Sequence, residues 1–135
     1  MDWPNLIKNA SARVAPYIRQ TPIVTFETGT LTQPVALKLE QLQHAGSFKT
    51  RGAFNTLLGT APPTAGLVAA SGGNHGAAVA YAAQRLGFPA RVYVPEIAGP
   101  AKISLIRACG ADLQVVPGAY SNALEQAKAW EEKTG

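Results

Sequence analysis

The stretch Gly46-Ser47-Phe48-Lys49-Thr50-Arg51-Gly52-Ala53 places a lysine at an unfavourable point of a helix. Ser47 is a good N-cap residue, and Phe48 to Leu58 are compatible with a helix whose apolar face carries Phe54, Leu57 and Leu58. Lys49 then falls in the first turn, at the positive end of the helix dipole, with Arg51 close behind. A cation there is disfavoured by about 0.3–1 kcal/mol. Two flexible side chains could simply bend out into water. The alternative is that the position favours the neutral amine, the form that attacks an aldehyde. Such a lysine suits a Schiff base with pyridoxal phosphate.

The second constellation is Ser71-Gly72-Gly73-Asn74-His75-Gly76, between an apolar strand and a helix N-terminus. Glycines let the backbone turn sharply and aim several N–H groups at one point, to which the helix dipole adds positive potential. The loop reads as an anion site; an ordinary tight strand-to-helix turn would have the same letters. Glu96 follows the next strand about where a ribose-binding acid would sit, but the glycines do not fit G-x-G-x-x-G in register. Asn74 offers an amide that can donate to a phenolate oxygen, or it is a turn asparagine. His75 could serve as acid or base, or be structural. Cys109, before the helix-ending Gly110, has no histidine partner and reads as a core or cap-adjacent residue. No cluster of His, Cys, Asp or Glu has metal-ligand spacing, so no metal is expected.

The elements that must position these groups follow from pattern and punctuation. A helix is expected from Pro4 to about Ala15, with Leu6, Ile7, Ala10 and Val14 facing inward. Thr21-Pro22-Ile23-Val24 starts an extended piece, and Val35 to Glu40 alternates like a strand that leads through Gly46 into the Lys49 helix. Residues 61–66 (Ala-Pro-Pro-Thr-Ala-Gly) read as a linker. Beyond them strands and helices alternate. Leu67 to Ala70 is a strand, and an alanine-rich helix runs to Leu86 before Gly87 and Pro89. Arg91 to Val94 is a strand, Pro100 opens a helix closing at Gly110, and Leu113 to Val116 is a strand. A last helix carries Tyr120, Ala123, Leu124 and Ala127 on its apolar stripe. This alternation means right-handed βαβ units and a parallel sheet. The chain stops where a further strand should begin.

The 135 residues have the length of one domain, 47% of them hydrophobic and 15% charged, which supplies a core. No run of about 18 apolar residues predicts a membrane span, and Met1-Asp2-Trp3-Pro4 does not open a signal peptide. A single cysteine fits a reducing cytoplasm. The net charge of +4 is scattered rather than gathered into a stripe, so nucleic acid is not an expected partner, whereas a small anionic ligand is.

The stretch from Lys38 to Ala53, Lys-Leu-Glu-Gln-Leu-Gln-His-Ala-Gly-Ser-Phe-Lys-Thr-Arg-Gly-Ala, closely resembles the cofactor-lysine motif of the threonine/serine dehydratases and serine racemases. Thr21-Pro22-Ile23 resembles the same family's early Thr-Pro element, and Ala70 to Gly76 its asparagine loop. The three motifs fall in the family's order. The sister synthases that make cysteine carry a different lysine motif and usually end the loop in Thr-Gly rather than His-Gly.

The resemblance implies pyridoxal-phosphate fold type II, the three-layer αβα parallel-sheet arrangement of tryptophan synthase β and its relatives, present only in part. Residues 1–65 would belong to the large domain, including the cofactor lysine, and residues 66–135 would form most of the small α/β domain. The resemblance also implies a small amino-acid substrate and a homo-oligomer. Lys49 would hold the cofactor and take the substrate's α-proton. Phe48 would pack beside the pyridine ring and Asn74 would bind the ring oxygen. Ser71, Gly72, Gly73, Asn74 and His75 would hold the substrate carboxylate. The expected reaction is deamination of L-threonine or L-serine to a 2-oxo acid and ammonia. Gly72 stands where the racemase branch carries a proton-donating serine, which disfavours racemisation. The family's glycine-rich phosphate cradle and its pyridine-nitrogen contact would lie beyond Gly135. The competing expectation is a binding module or inactive fragment.

Overall fold

Asp2 starts the first helix: its carboxylate accepts from Asn5 N at 3.3 Å, and Pro4 sits in the first turn, where its missing N–H costs nothing. Helix α1 then spans Trp3–Val14 in the computed structural model, which describes residues 1–27, 29, 33–60 and 64–135. Of the four residues expected to face inward, only Val14 is buried. Leu6 and Ile7 are 49% and 65% exposed. The reason is the crossing point: α1 meets its neighbour near its C-terminal end, where Val14 joins Phe54 and Ala82.

Strands β1 (Ile23–Phe26) and β2 (Val35–Lys38) pair antiparallel, Ile23 opposite Lys38 and Phe26 opposite Val35. Two short 3₁₀ turns follow, Glu40–Leu42 and His44–Gly46. Ala45 (φ 54°) and Gly46 (φ 70°) are both left-handed, which swings the chain into helix α2, Lys49–Gly59. For alanine this conformation is uncommon, and it is held by Thr50 Oγ1 donating to the carbonyl of His44. Ser47 is not the N-cap that its type predicts. Phe48 occupies the cap position, and Ser47 is extended (φ −163°, ψ 162°). The N–H of Thr50, which a serine cap would take, is already bonded to the Ser47 carbonyl at 3.4 Å.

Residues 61–63 of the expected linker lie outside the described residues. After it come β3 (Leu67–Ala70), α3 (Asn74–Leu86), β4 (Ala90–Pro95), α4 (Pro100–Ala108), β5 (Asp112–Val116) and α5 (Tyr120–Thr134). The strands form one parallel sheet in the order β3-β4-β5, with Leu67 opposite Ala90 and Val94 opposite Val115. One face buries Val92 and Val94 against Ala77 and Ala80 of α3 and Ile106 of α4. The other buries Tyr93 against Ala123 and Ala127 of α5. Three layers result, as the alternation predicts.

Helix α3 is alanine-rich all round because it is covered on two sides. Ala77 and Ala80 face the sheet, while Ala82 meets α2 and α1. Small side chains allow both neighbours close approach, and this sets α2 beside the start of α3.

Candidate active site

Packing of α2 on α3 builds the site. Phe54 of α2 is fully buried, stacked on Tyr17 at 5.1 Å and edge-on to Tyr81 of α3 at 6.1 Å. This contact holds α2 against α3. Between them lies a cavity of about 370 Å³, lined by Phe48, Lys49, Gly52, Ala53, Leu57 and His75 among others. Its size falls within the range of about 300–1,000 Å³ usual for small-molecule sites. The Lys49 ammonium lies 5.1 Å from the centroid of the Phe48 ring, which is 58% exposed. An amine, an exposed aromatic face and an imidazole therefore share one opening.

A polar clasp behind the lysine holds α2 in place. Arg51 donates to both carboxylate oxygens of Glu40, Nε to Oε2 at 2.9 Å and Nη2 to Oε1 at 2.7 Å. Thr21 Oγ1 donates to the same Oε1 at 2.6 Å, and Lys38 Nζ lies 3.7 Å from it. The hydrogen bond from Arg51 is the main reason that the Glu40 carboxyl is held down to about 2; burial opposes it, and Thr21 and the charges of Arg51 and Lys38 add to it. Gln43 completes the clasp, accepting from Arg19 N and donating to Arg19 O, both at 2.8 Å. Thr21 of the early Thr-Pro element thus meets Lys38, Glu40 and Arg51 of the lysine motif. Sequence reasoning missed this clasp. Its only signal was the opposite charge of Glu40 and Arg51, and the turns between them decide whether those charges meet.

The Ser71–Gly76 loop sits at the head of α3. Ser71 N donates to Tyr93 O at 2.9 Å, tying the loop to β4, and Gly73 N donates to Ser71 Oγ at 3.2 Å. The Ser71 hydroxyl hydrogen is left available to a ligand. The N–H groups of Asn74, His75 and Gly76 open the helix and have no intrahelical acceptor. Only His75 of this loop lines the Lys49 cavity. Ser71, Gly72, Gly73 and Asn74 lie outside that lining, and Asn74 Oδ1 accepts instead from Lys102 Nζ of α4.

The glycines differ in what they permit. A Cβ on Gly72 would fall 2.6 Å from Ala98 Cβ, and one on Gly76 would press into the Ser71 carbonyl oxygen. A Cβ on Gly73 would meet nothing within 4 Å, so open space faces the loop there.

Other reactive groups stay apart. Cys109 is buried, and burial pushes its thiol up, away from the reactive thiolate. Among the described residues no group of three or more His, Cys, Asp or Glu could hold a metal ion. A second cavity of about 310 Å³, between Leu67 and Trp130, has Glu131 as its one ionisable side chain and no amine in its lining.

The donor set fits pyridoxal phosphate: an amine for its aldehyde, an aromatic face for its ring, and free N–H groups at a helix head for its anionic groups. Residues 14–135 match the family described as pyridoxal-phosphate dependent enzyme. Phenylserine dehydratase of Ralstonia pickettii is 43% identical over 112 residues, 79% of this chain and 34% of that protein. L-threonine ammonia-lyase of Thermotoga maritima is 43% identical over 103 residues, 75% of this chain and 26% of its own. The structure of maize serine racemase matches with a TM-score of 0.88 at 31% identity, over 97% of this chain and 41% of that one. The chain spans about a third of the length of the first of these curated relatives and about a quarter of the second. With a lysine in the lining of a cavity between α2 and α3 and these likenesses, the chain belongs to the pyridoxal-phosphate dependent enzymes and carries part of their type II fold.

Proposed function

We propose that the protein containing this chain is an ammonia-lyase that converts L-threonine or L-serine to a 2-oxo acid and ammonia, with Lys49 as its catalytic residue. The observation that carries this is the cavity shared by Lys49, Phe48 and His75 at the head of α3. Lys49 would hold pyridoxal phosphate covalently through Nζ. Once bound, the cofactor supplies an electron sink at the substrate's α-carbon. Lys49 Nζ would then serve as the base for the substrate's α-proton. Phe48 would pack beside the pyridine ring and Asn74 would donate to the ring oxygen. The substrate carboxylate would be received by the loop Ser71–His75, through the N–H groups of Gly72, Asn74 and His75 and through the Ser71 hydroxyl, whose oxygen the Gly73 N–H holds. Residues 1–65 belong to a large domain and residues 66–135 to a small one. The working form is a cytoplasmic homo-oligomer; among the described residues no helix is long and apolar enough to cross a membrane.

Elimination is favoured over racemisation by Gly72. Racemisation needs a second proton donor on the face opposite Lys49, and at position 72 even a Cβ would collide with Ala98. Borohydride reduction of the protein loaded with cofactor tests the assignment. The label is expected on the peptide containing Lys49, and Lys49→Ala should abolish both label and turnover. A label on Lys38 or Lys102 instead would overturn it.

A further inference from the structure

The Lys49 cavity leaves one cation near the head of α3 unaccounted for. Lys102 lies in the first turn of α4, where a positive charge opposes the helix dipole, yet its ammonium is half-buried and spent on Asn74 Oδ1, 28 residues away. An ammonium only donates, so it selects the carbonyl end of the amide. That choice turns Nδ2, with its two hydrogens, away from Lys102. An asparagine without such a partner can present either end.

A second observation explains the reach. The turn joining β4 to α4 is seated on Gly72. A Cβ there would fall 2.6 Å from Ala98 Cβ and 3.3 Å from Pro95 Cδ and Val94 Cγ1. Ala98 N donates to Pro95 O at 2.9 Å, and Gly99 O accepts from Lys102 N at 3.0 Å. Ala98 therefore fixes where α4 begins, and α4 fixes where Lys102 can point. Gly72 and Lys102 act on Asn74 as one unit.

We propose that Lys102 is a positioning residue of the site: it locks the Asn74 amide so that Nδ2 donates to the anionic ring oxygen of the cofactor, with Gly72 setting its reach. The inference rests on the proposed function, in which Asn74 meets that oxygen. The hold has a second effect, because a carbonyl bonded to a cation makes its own amide N–H a stronger donor. No other side chain is hydrogen-bonded to Asn74 Oδ1 among the described residues.

The test compares wild type with Lys102→Met, which keeps bulk without a donor, and Lys102→Arg, which restores one. Two readings are taken on the protein: the side-chain amide NMR signals of Asn74 without ligand, and the visible absorption and dissociation constant of added pyridoxal phosphate. Lys102→Met should shift the Asn74 amide signals, displace the absorption maximum and its pH profile, and weaken cofactor binding by about tenfold. Lys102→Arg should restore all three. Should Lys102→Met fail to fold, Lys102→Gln, neutral but still a donor, is expected to give the same changes in smaller measure. Unchanged amide signals would show that the bond is not made and overturn the proposal. Shifted amide signals with an unchanged cofactor spectrum and affinity would reduce Lys102 to a structural role and also overturn it. Wild-type protein that takes no cofactor at Lys49 would defeat the proposed function itself, a result distinct from normal loading that is insensitive to residue 102.

Discussion

Arg51 grips Glu40 with two hydrogen bonds, 2.9 Å and 2.7 Å long, across a stretch of chain that includes Lys49. The pair ties α2 to the turn after β2 and so decides where the lysine stands. Its strength depends on pH. Folded Glu40 titrates at about 2 rather than 4.5, so its contribution is complete above 4.5 and is lost as the pH falls from there towards 2. Wild-type stability should decline more steeply across that window than that of Glu40→Gln. Arg51→Met, which leaves a half-buried carboxylate without its main partner, should cost about 1–3 kcal/mol at neutral pH. Urea unfolding at several pH values measures both.

Gly76 and Gly73 should answer opposite questions. Gly76→Ala drives a methyl into the Ser71 carbonyl, so it should destabilise by about 2 kcal/mol or more and lower the thermal midpoint. A Cβ on Gly73 meets no protein atom within 4 Å, so Gly73→Val should leave the midpoint nearly unchanged, while raising KM and lowering kcat with cofactor retained. Loss of cofactor with unchanged substrate affinity in Gly73→Val would make the loop a phosphate site instead.

Gly72→Ser should not create a racemase. The new side chain meets Ala98, Pro95 and Val94, and relieving that overlap should cost about 1–3 kcal/mol. Chiral analysis of products from L-serine should find no gain in D-serine over wild type, with the 2-oxo acid still formed, though more slowly.

Phe54→Ala tests the packing that brings Lys49 to His75. The ring is fully buried between Tyr17 and Tyr81, so its removal should cost about 3–5 kcal/mol. Borohydride labelling at Lys49 should fall with it, because the cavity walls separate; labelling equal to wild type in the folded variant would show that the cavity survives without the ring.

The sequence by itself determined the layers and the order of the elements. Apolar runs such as Leu67–Ala70, a glycine stop such as Gly87 and the proline starts at Pro4 and Pro100 are local signals, and local signals specify local structure. Lys49 at a helix start and the glycine loop before α3 were legible for the same reason. Only the tertiary structure decided which groups meet. Ser47, a capping residue by type, lost the cap to Phe48 because two left-handed residues redirect the chain before it. Leu6 and Ile7 stayed exposed because α1 crosses its neighbour only near Val14. Of the loop residues after β3, His75 alone came to line the Lys49 cavity, while Asn74 went to Lys102. Those pairings join residues brought together by the paths of loops and the sizes of side chains at crossing points, and no periodicity encodes them.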